Sequence, residues 1–397
     1  MEPNKSFCTL PWIHLATHPV GIVTPCCITD MENGASTARK NGEELFLNRN
    51  TLEEITNSEL FNQVRLQMIN NEFPSVCKTC YKYDQDNFKS RRVESNDSFK
   101  HLIESCFKNT NSDGSLKTID YRYIELRLGT VCNLKCITCN PFSSNRWNED
   151  VNVFENTEFE KNYLKVPIKT EWYRDKSFYD ELLTKCENLE EIWINGGEPT
   201  LIKEHSYFLN KLIENGRAEK INLHYSINMT KIPDDFIEIW LKFKNTKLQL
   251  SIDDLELRND YIRYGSKWET IKENLDKISK YKDEFRIEVC QTVSVLNVRN
   301  INNFKKFVNS YNLITAHNFV HHPSFMHVSL LPDELKNDLM ADVSNLTDYE
   351  RNRLISELYV DKNDENYQKF IKFIKILDIK RNVNISDFLP EWKKYFD

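Results

Sequence analysis

The chain has 397 residues, of which 40% are hydrophobic and 28% charged, with a net charge of −7. These values predict a soluble globular protein with room for two domains, and they argue against a broad nucleic-acid-binding surface. The sequence has no amino-terminal signal pattern and no apolar run of about 18 residues, so we expect a cytoplasmic protein that does not cross a membrane. In a reducing compartment, its 11 cysteines favour metal ligation over disulfides.

The chain opens with a predicted β-hairpin that has cysteines at both ends. Cys8 precedes the hairpin, the turn lies at residues 19–21, and Cys26 and Cys27 follow it. Because a hairpin brings its ends together, Cys8 and Cys26 are expected to lie close in space.

A helix is predicted over residues 51–71 from its apolar periodicity, and it should end before Pro74. The loop after it carries Cys77 and Cys80 as C-x2-C, a spacing with which a tight turn directs two sulfurs at one metal. Together with the hairpin thiols, this pair predicts a four-thiolate site for either an iron–sulfur cluster or zinc.

Polar, turn-forming residues at 107–119 predict a linker. We therefore expect a cysteine-rich domain over residues 1–110, a second domain over 120–325 and a helical extension over 326–397.

The second domain alternates strands and helices, which predicts parallel strands joined by helical crossovers. The expected fold class is α/β, a partial (β/α)6 TIM-like barrel with its chemistry at the carboxyl ends of the strands. The predicted strands are 123–129, 190–195, 220–228, 248–253, 286–293 and 317–321, and the predicted helices are 177–186, 203–215, 234–243, 268–280 and 301–311.

Two segments lie outside this alternation. Residues 141–176 form an insertion rich in aromatic and acidic residues, either a lid over the barrel mouth or a surface excursion. The tail from Pro332 is predicted to be helical, and Ser344 is the expected cap of a helix in it.

The first strand of the second domain leads directly into a loop with three cysteines. Cys132, Cys136 and Cys139 have the spacing C-x3-C-x2-C. A structural zinc site would need a fourth ligand, whereas three thiolates on one loop suit an iron–sulfur cluster. Such a cluster would keep one iron free for another ligand.

The second strand ends in Gly196, Gly197, Glu198 and Pro199. The glycines allow close approach of a ligand, the carboxylate can accept from an ammonium group, and the proline fixes the turn.

These two motifs together resemble the radical S-adenosylmethionine (SAM) enzymes. The resemblance implies that the three cysteines hold a 4Fe–4S cluster whose open iron chelates SAM, and that Gly196–Pro199 positions the methionine amine. It implies reductive cleavage of SAM to a 5′-deoxyadenosyl radical that abstracts hydrogen from a substrate. It further implies an electron donor such as flavodoxin or ferredoxin. The chain departs from the family at Thr138, where an aromatic residue is usual.

Further positions at later strand ends match the family. They are expected to contact SAM, and Arg263 is expected to pair with its carboxylate; for each polar strand-end residue the alternative is a local cap or turn bond. The set is Ser226, Asn228, Ser251, Asp253 and Arg263.

The amino-terminal region resembles the SPASM and twitch auxiliary-cluster domains. Cys8, Gly21 and Cys26 fit the signature C-x(9–15)-G-x4-C, and Cys77 and Cys80 supply the later C-x2-C. The remaining SPASM cysteines are absent, so the resemblance implies one auxiliary cluster, as in a twitch domain. These domains usually follow the barrel, whereas here the cysteines precede it, and Cys27 is an alternative ligand to Cys26.

The remaining cysteines and a histidine cluster carry weaker expectations. Apolar or helical surroundings predict core thiols at Cys106, Cys186 and Cys290. For the histidines, substrate binding or proton transfer stands against surface or core positions; they are His317, His321, His322 and His327.

By family analogy, the substrate is a peptide or protein side chain, with a sugar- or nucleotide-type small molecule as the alternative. A different class, a non-catalytic metal-binding interaction protein, would require the C-x3-C-x2-C spacing to be incidental. The Gly-Gly-Glu-Pro turn argues against that interpretation. Neither nucleic acid nor a membrane is indicated as a partner.

Overall fold

The structure, a computed structural model, describes residues 4–29, 36–86, 88–360 and 363–396. The described residues fall into two compact units. Unit 1 lies within 1–129, 168–224 and 242–244, and unit 2 comprises 130–167, 225–241 and the described residues from 245 onwards.

A mostly parallel sheet is the main feature of the fold, with strand order β10-β9-β8-β7-β6-β5-β1-β2. The strands are β1 (His14–Thr17), β2 (Val23–Thr24), β3 (Arg39–Lys40), β4 (Glu43–Glu44), β5 (Tyr123–Arg127), β6 (Glu191–Asn195), β7 (Asn222–Ile227), β8 (Asn245–Ser251), β9 (Phe285–Val293) and β10 (Ile314–Phe319). Strands β5 to β10 correspond to the six predicted strands. The α/β class is confirmed.

Helices connect and cover the strands, and short 3-10 helices lie between them. The α-helices are α1 (Leu10–Ile13), α2 (Leu52–Thr56), α3 (Glu59–Ile69), α4 (Lys78–Gln85), α5 (Arg91–Ser98), α6 (Ile103–Lys108), α7 (Glu158–Asn162), α8 (Lys176–Thr184), α9 (His205–Glu214), α10 (Asp234–Trp240), α11 (Glu256–Ile262), α12 (Trp268–Ile278), α13 (Ile301–Ser310), α14 (Asp333–Ala341), α15 (Asp348–Leu358), α16 (Asp364–Arg381), α17 (Ile385–Phe388) and α18 (Lys393–Phe396). The five helices predicted between the strands are present, and α11 was not predicted.

In unit 1, the amino-terminal hairpin joins the main sheet. Strand β1 pairs antiparallel with β2, as predicted for a hairpin, and it also pairs in parallel with β5. Strand β5 continues in parallel with β6. The parallel β1–β5 pair was not predicted, because about 100 residues of chain separate the two strands and no local pattern reports such a pairing.

The stretch predicted to be helical over residues 51–71 is helical, but a short break divides it into two helices. A capping box between Thr51 and Glu54 starts α2, which ends at Thr56, and Ser58 in an extended conformation precedes α3. The apolar periodicity continues across the break, because both helices bury an apolar face. The pattern therefore did not indicate where the first helix ends. Val64 and Met68 of α3 join a core around Phe7, Trp12 and Tyr123.

In unit 2, strands β8, β9 and β10 pair in parallel in sequence order. The insertion after the three-cysteine loop contributes to the core of this unit. Its aromatic residues Trp147, Phe154 and Phe159 are buried and pack around Phe373 of α16. The first half of the insertion is therefore a packed part of unit 2, and the surface-excursion interpretation is wrong for these residues.

The tail is helical, as predicted, but its cap differs. Thr347, not Ser344, caps α15, because Thr347 and Glu350 form a capping box. The Ser344 hydroxyl instead donates to Asp342 at 2.9 Å.

Among helices of the described residues, none has both the length and the apolar composition needed to cross a membrane. The predicted domain boundaries at residues 110, 120 and 325 stay predictions.

Candidate functional site

The three-cysteine loop follows β5 and is held in unit 2 by backbone hydrogen bonds. The Lys135 N–H donates to the carbonyl of Tyr264 at 3.0 Å, and the Ile137 N–H donates to that of Ile262 at 2.8 Å. The partner segment is the end of α11 and the turn after it. Two such bonds fix the backbone on either side of Cys136.

Side chains of the insertion hold the same loop through its carbonyl groups. The Trp147 indole N–H donates to the carbonyl of Cys136 at 3.0 Å, and the Tyr163 hydroxyl donates to that of Cys139 at 2.9 Å. These bonds satisfy carbonyls of an irregular loop, where unpaired groups are costly. The insertion thus stabilises the cysteine loop, and these hydrogen bonds give two of its aromatic residues a structural role.

The three thiols influence one another electrostatically. Burial raises the pKa of Cys136 to about 11, while Arg263 opposes that rise. Burial and the two neighbouring sulfurs raise the pKa of Cys139. A backbone N–H, that of Leu134, donates to the Sγ of Cys132 at 3.5 Å. A metal cation beside these thiols would favour their thiolate form, so this donor set fits an iron–sulfur cluster.

Asn228 is the predicted strand-end residue that contacts the cysteine loop. Its side-chain amide donates to the Asn133 side chain at 2.8 Å and lies 3.8 Å from the Sγ of Cys132. The hydroxyl of Ser226 instead donates to Gln249 at 3.1 Å. Asn228 is therefore positioned beside the thiols, and Ser226 is part of the sheet's own hydrogen bonding.

Arg263 and Asp253 form a buried ion pair with an N–O distance of 2.9 Å. The other carboxylate oxygen of Asp253 accepts from the Thr292 N–H at 2.8 Å. The guanidinium Nε of Arg263 has no hydrogen-bond partner within the described part of the chain. Ser251 ends β8 two residues before Asp253. The ion pair places the Arg263 guanidinium near Cys136. Burial lowers the pKa of Arg263, and the neighbouring Cys136 raises that pKa.

The predicted Gly196–Pro199 turn follows β6 in unit 1. Gly196 and Gly197 have φ of +84° and +45°, where a side chain is strained. A Cβ at Gly196 would lie 2.8 Å from the backbone of Arg127. Glu198 is buried, and its carboxylate accepts from the N–H and the hydroxyl of Thr200, at 3.0 and 2.6 Å.

Four amino-terminal cysteines line one pocket in unit 1. Around Cys8, Cys26, Cys77 and Cys80 lie apolar side chains and Arg92. Burial raises the pKa of the Cys8 thiol to about 12, with a further rise from Cys80. Four cysteines that line one pocket match the donor set of an auxiliary cluster, and a metal cation would favour their thiolate form.

Cys27 is not among the residues that line this pocket. Its Sγ lies 4.0 Å from that of Cys26. The hydrogen bond with Cys26 lowers the pKa of Cys27, and Arg91 and Arg127 act in the same direction.

The histidines near the end of β10 form ion-pair and hydrogen-bond clusters. His317 bonds to Gln291 at 2.9 Å, and His321 and His327 approach Glu357 at 3.7 and 3.3 Å. Arg353 also pairs with Glu357. These contacts give His317, His321 and His327 polar partners, and a role of the four histidines in substrate binding or proton transfer stays a prediction.

Cys106 and Cys186 are buried, as expected for core thiols, and Cys290 is half-buried.

A cluster of polar side chains on β5 and β6 was not predicted from the sequence. Glu125 of β5 is buried and bonds to both Arg127 and Asn195. The available signal was the alternation in YIELR, where Tyr123, Glu125 and Arg127 share one face of the strand.

Two family models match the chain. Residues 126–310 match the radical SAM superfamily, and residues 8–81 match an iron–sulfur cluster-binding domain, SPASM. The matches include the three-cysteine loop and the four thiols of the pocket. No curated protein matches.

Several solved structures are similar to this chain at low identity. One is a histidine-tagged anSMEcpe with bound AdoMet: identity is 19%, the match covers 49% of this chain and 50% of that one, and the TM-score is 0.35. Another is Streptococcus suis SuiB bound to precursor peptide SuiA, with 13% identity, 84% and 67% coverage and a TM-score of 0.37. A third is TYW1 with a lysine-pyruvate adduct bound, with 19% identity, 56% and 74% coverage and a TM-score of 0.33. This chain thus spans about half the length of the first of them.

Proposed function

We propose that this chain, which carries a radical SAM domain and an amino-terminal SPASM-type iron–sulfur domain, is a radical SAM enzyme. When bound, a reduced 4Fe–4S cluster supplies the electron that cleaves SAM to methionine and a 5′-deoxyadenosyl radical, which abstracts hydrogen from substrate. The observation that carries this proposal is the C-x3-C-x2-C loop within the matched segment. Cys136 and Cys139 are half-buried thiols of this loop, and backbone hydrogen bonds hold it in place.

The chain's own residues have distinct proposed roles. Cys132, Cys136 and Cys139 would hold the catalytic cluster, and Asn228 and the Arg263–Asp253 pair would set the polarity around it. The position of Asn228 beside Cys132 supports this role.

In unit 1, the Gly196–Pro199 turn is proposed to bind the methionine part of SAM. Glu198 already accepts two hydrogen bonds from Thr200 through one oxygen. We propose that this carboxylate also accepts from the SAM amine.

The auxiliary cluster would be held by Cys8, Cys26, Cys77 and Cys80, since these four line one pocket. It would carry electrons or bind substrate. Flavodoxin or ferredoxin is the proposed electron donor, and a peptide or protein side chain is the proposed substrate. These three proposals rest on the family resemblance.

Anaerobic reconstitution tests the enzyme proposal. With two 4Fe–4S clusters, we expect about eight irons per chain, and 5′-deoxyadenosine should form when SAM and dithionite are added. Cys136→Ser should abolish 5′-deoxyadenosine and lower iron to about four per chain, because one cluster loses a ligand. Cys290→Ala, which removes a half-buried thiol outside both sites, is the matched control and should keep both. Bound zinc, with no SAM cleavage by the wild-type chain, would contradict the proposal.

A further inference from the structure

In unit 1, polar side chains lie next to one another on one face of the sheet. Tyr123, Glu125 and Arg127 alternate along β5, so they share a face. The parallel register sets Ala16 of β1 beside Glu125, and Asn195 of β6 beside Arg127. These side chains lie within one compact unit.

Glu125 is held at the centre of a hydrogen-bonded triad. Its Oε1 accepts from the Arg127 Nε at 3.1 Å and from the Asn195 Nδ2 at 3.1 Å. The Arg127 contact is also an ion pair, so the charges within the triad cancel. One oxygen of the carboxylate therefore takes both donors, and the orientations of all three side chains are fixed.

The triad leaves two acceptor atoms unused. The Glu125 Oε2 and the Asn195 Oδ1 are shielded from solvent and have no hydrogen-bond partner among the residues that the structure describes. Glu125 is only 2% exposed. Burying a carboxylate oxygen without a hydrogen-bond donor costs folding free energy. A purely structural role therefore does not explain these two unpaired acceptor atoms.

The position of the pair in the sheet favours a ligand. The neighbour of Glu125 on β1 is Ala16, whose side chain is a single methyl group. Arg127 and Asn195 are the last residues of β5 and β6. Ligands of parallel α/β sheets bind at the carboxyl ends of the strands. One row further along the same face, both ring nitrogens of His14 and the Tyr123 hydroxyl also lack partners among the described residues.

We propose that Glu125 and Asn195 form an acceptor pair that binds a hydrogen-bond donor group of the substrate, an amide or ammonium N–H or a hydroxyl O–H. This inference rests on the proposed function, since it assigns part of the substrate site of that enzyme. Both open atoms only accept, so a carboxylate or phosphate oxygen would find no donor from this pair. The triad therefore selects against anionic groups at this position.

Glu125→Gln is the most informative variant, because it keeps the side-chain volume and replaces one acceptor oxygen with a donor NH2 group. The amide oxygen can take the place of Oε1 and keep the Arg127 and Asn195 bonds, so the amide N–H2 then stands where Oε2 was. Asn195→Ala removes the second acceptor and serves as an independent variant. Glu187→Gln, an exposed turn residue before β6, is the matched control. Far-UV circular dichroism and iron content check that each variant folds.

The experiment measures probe binding to the reconstituted holoenzyme by calorimetry. The probes are N-acetyl-asparagine amide, glucose and N-acetyl-aspartate. We expect the wild type to bind the amide probe or glucose, and Glu125→Gln and Asn195→Ala to bind that probe at least about tenfold more weakly. The aspartate probe should bind Glu125→Gln better than the wild type. Preference for the amide indicates a peptide side chain, and preference for glucose indicates a sugar.

Equal affinities of the wild type and Glu125→Gln, or no binding of either donor probe to the wild type, would overturn the inference. The proposed function is judged separately, from 5′-deoxyadenosine formation by the wild type and Glu187→Gln without any probe. If that product forms and the probe pattern fails, only the acceptor pair is wrong. If it does not form, the proposed function fails whatever the probes do.

Discussion

At the scale of single residues, the adjacent thiols of Cys26 and Cys27 differ in surroundings. Cys26 lines the four-thiol pocket, whereas Cys27 does not. The pKa of Cys27 is influenced by Glu125, Arg91 and Arg127. Neighbouring residues in an irregular segment point in different directions, so one of the two can ligate while the other faces different groups.

This difference predicts unequal effects on iron binding. Cys26→Ser should lower the iron content of the reconstituted chain from about eight to about four per chain, since the auxiliary site loses one of its four thiolate ligands and has no SAM to replace it. Cys27→Ser is the matched control and should keep about eight. Iron analysis with electron paramagnetic resonance of the reduced clusters measures both. The reverse pattern would assign Cys27 as the ligand.

At the scale of elements, helix starts depend on local capping. Thr347 accepts from the N–H of Glu350 at 3.2 Å, and the Glu350 carboxylate accepts in return from the N–H and hydroxyl of Thr347, both at 2.9 Å. Glu350 also pairs with Lys305 of α13 at 2.7 Å. The capping box therefore fixes the start of α15 and links it to a neighbouring helix.

Thr347→Ala should weaken the start of α15 by about 1 kcal/mol, the usual cost of losing a cap. Hydrogen exchange of the first α15 amides should become about fivefold faster, since local opening follows the same free energy. Ser344→Ala, which changes only an exposed turn, is the control and should leave those amides unchanged. Equal acceleration in both variants would mean that Ser344 contributes to the cap.

At the scale of the whole molecule, both units bury neutral histidines. Burial lowers the pKa of His18 and of His205 in unit 1 to about 4, and Arg127 lowers that of His18 further. In unit 2, burial lowers the pKa of His317 to about 4, although Glu350 opposes the shift. His205 lies at the first turn of α9, where a positive charge is also disfavoured by the helix dipole.

These shifts predict that acid destabilises the fold. A histidine with a pKa of about 4 when folded and 6.5 when unfolded contributes stability that is present above pH 6.5 and lost as the pH falls towards 4. The melting temperature of the cluster-loaded chain should therefore fall between about pH 6.5 and about pH 5. His205→Gln should reduce the slope by up to about 1.4 kcal/mol per pH unit. An unchanged slope in that variant, at equal iron content, would contradict the assignment for His205.

Features that depend on short stretches of chain could be predicted from the amino-acid sequence. The periodicity of apolar residues predicted strands β5 to β10 and the helices between them. Each such pattern is contained within about ten residues of chain. The spacing of Cys132, Cys136 and Cys139 indicated an iron–sulfur site, since three ligands on one loop need no distant partner. The two glycines of Gly196–Pro199 likewise indicated a turn, and both have positive φ.

Contacts between residues far apart in the chain became visible only in the folded protein. The parallel pairing of β1 with β5 joins His14 to Tyr123, and the bond between Glu125 and Asn195 spans 70 residues. The exclusion of Cys27 from the pocket depends on how that segment folds. Such contacts are set by the packing of whole elements, and short-range periodicity and spacing carry no record of which elements become neighbours.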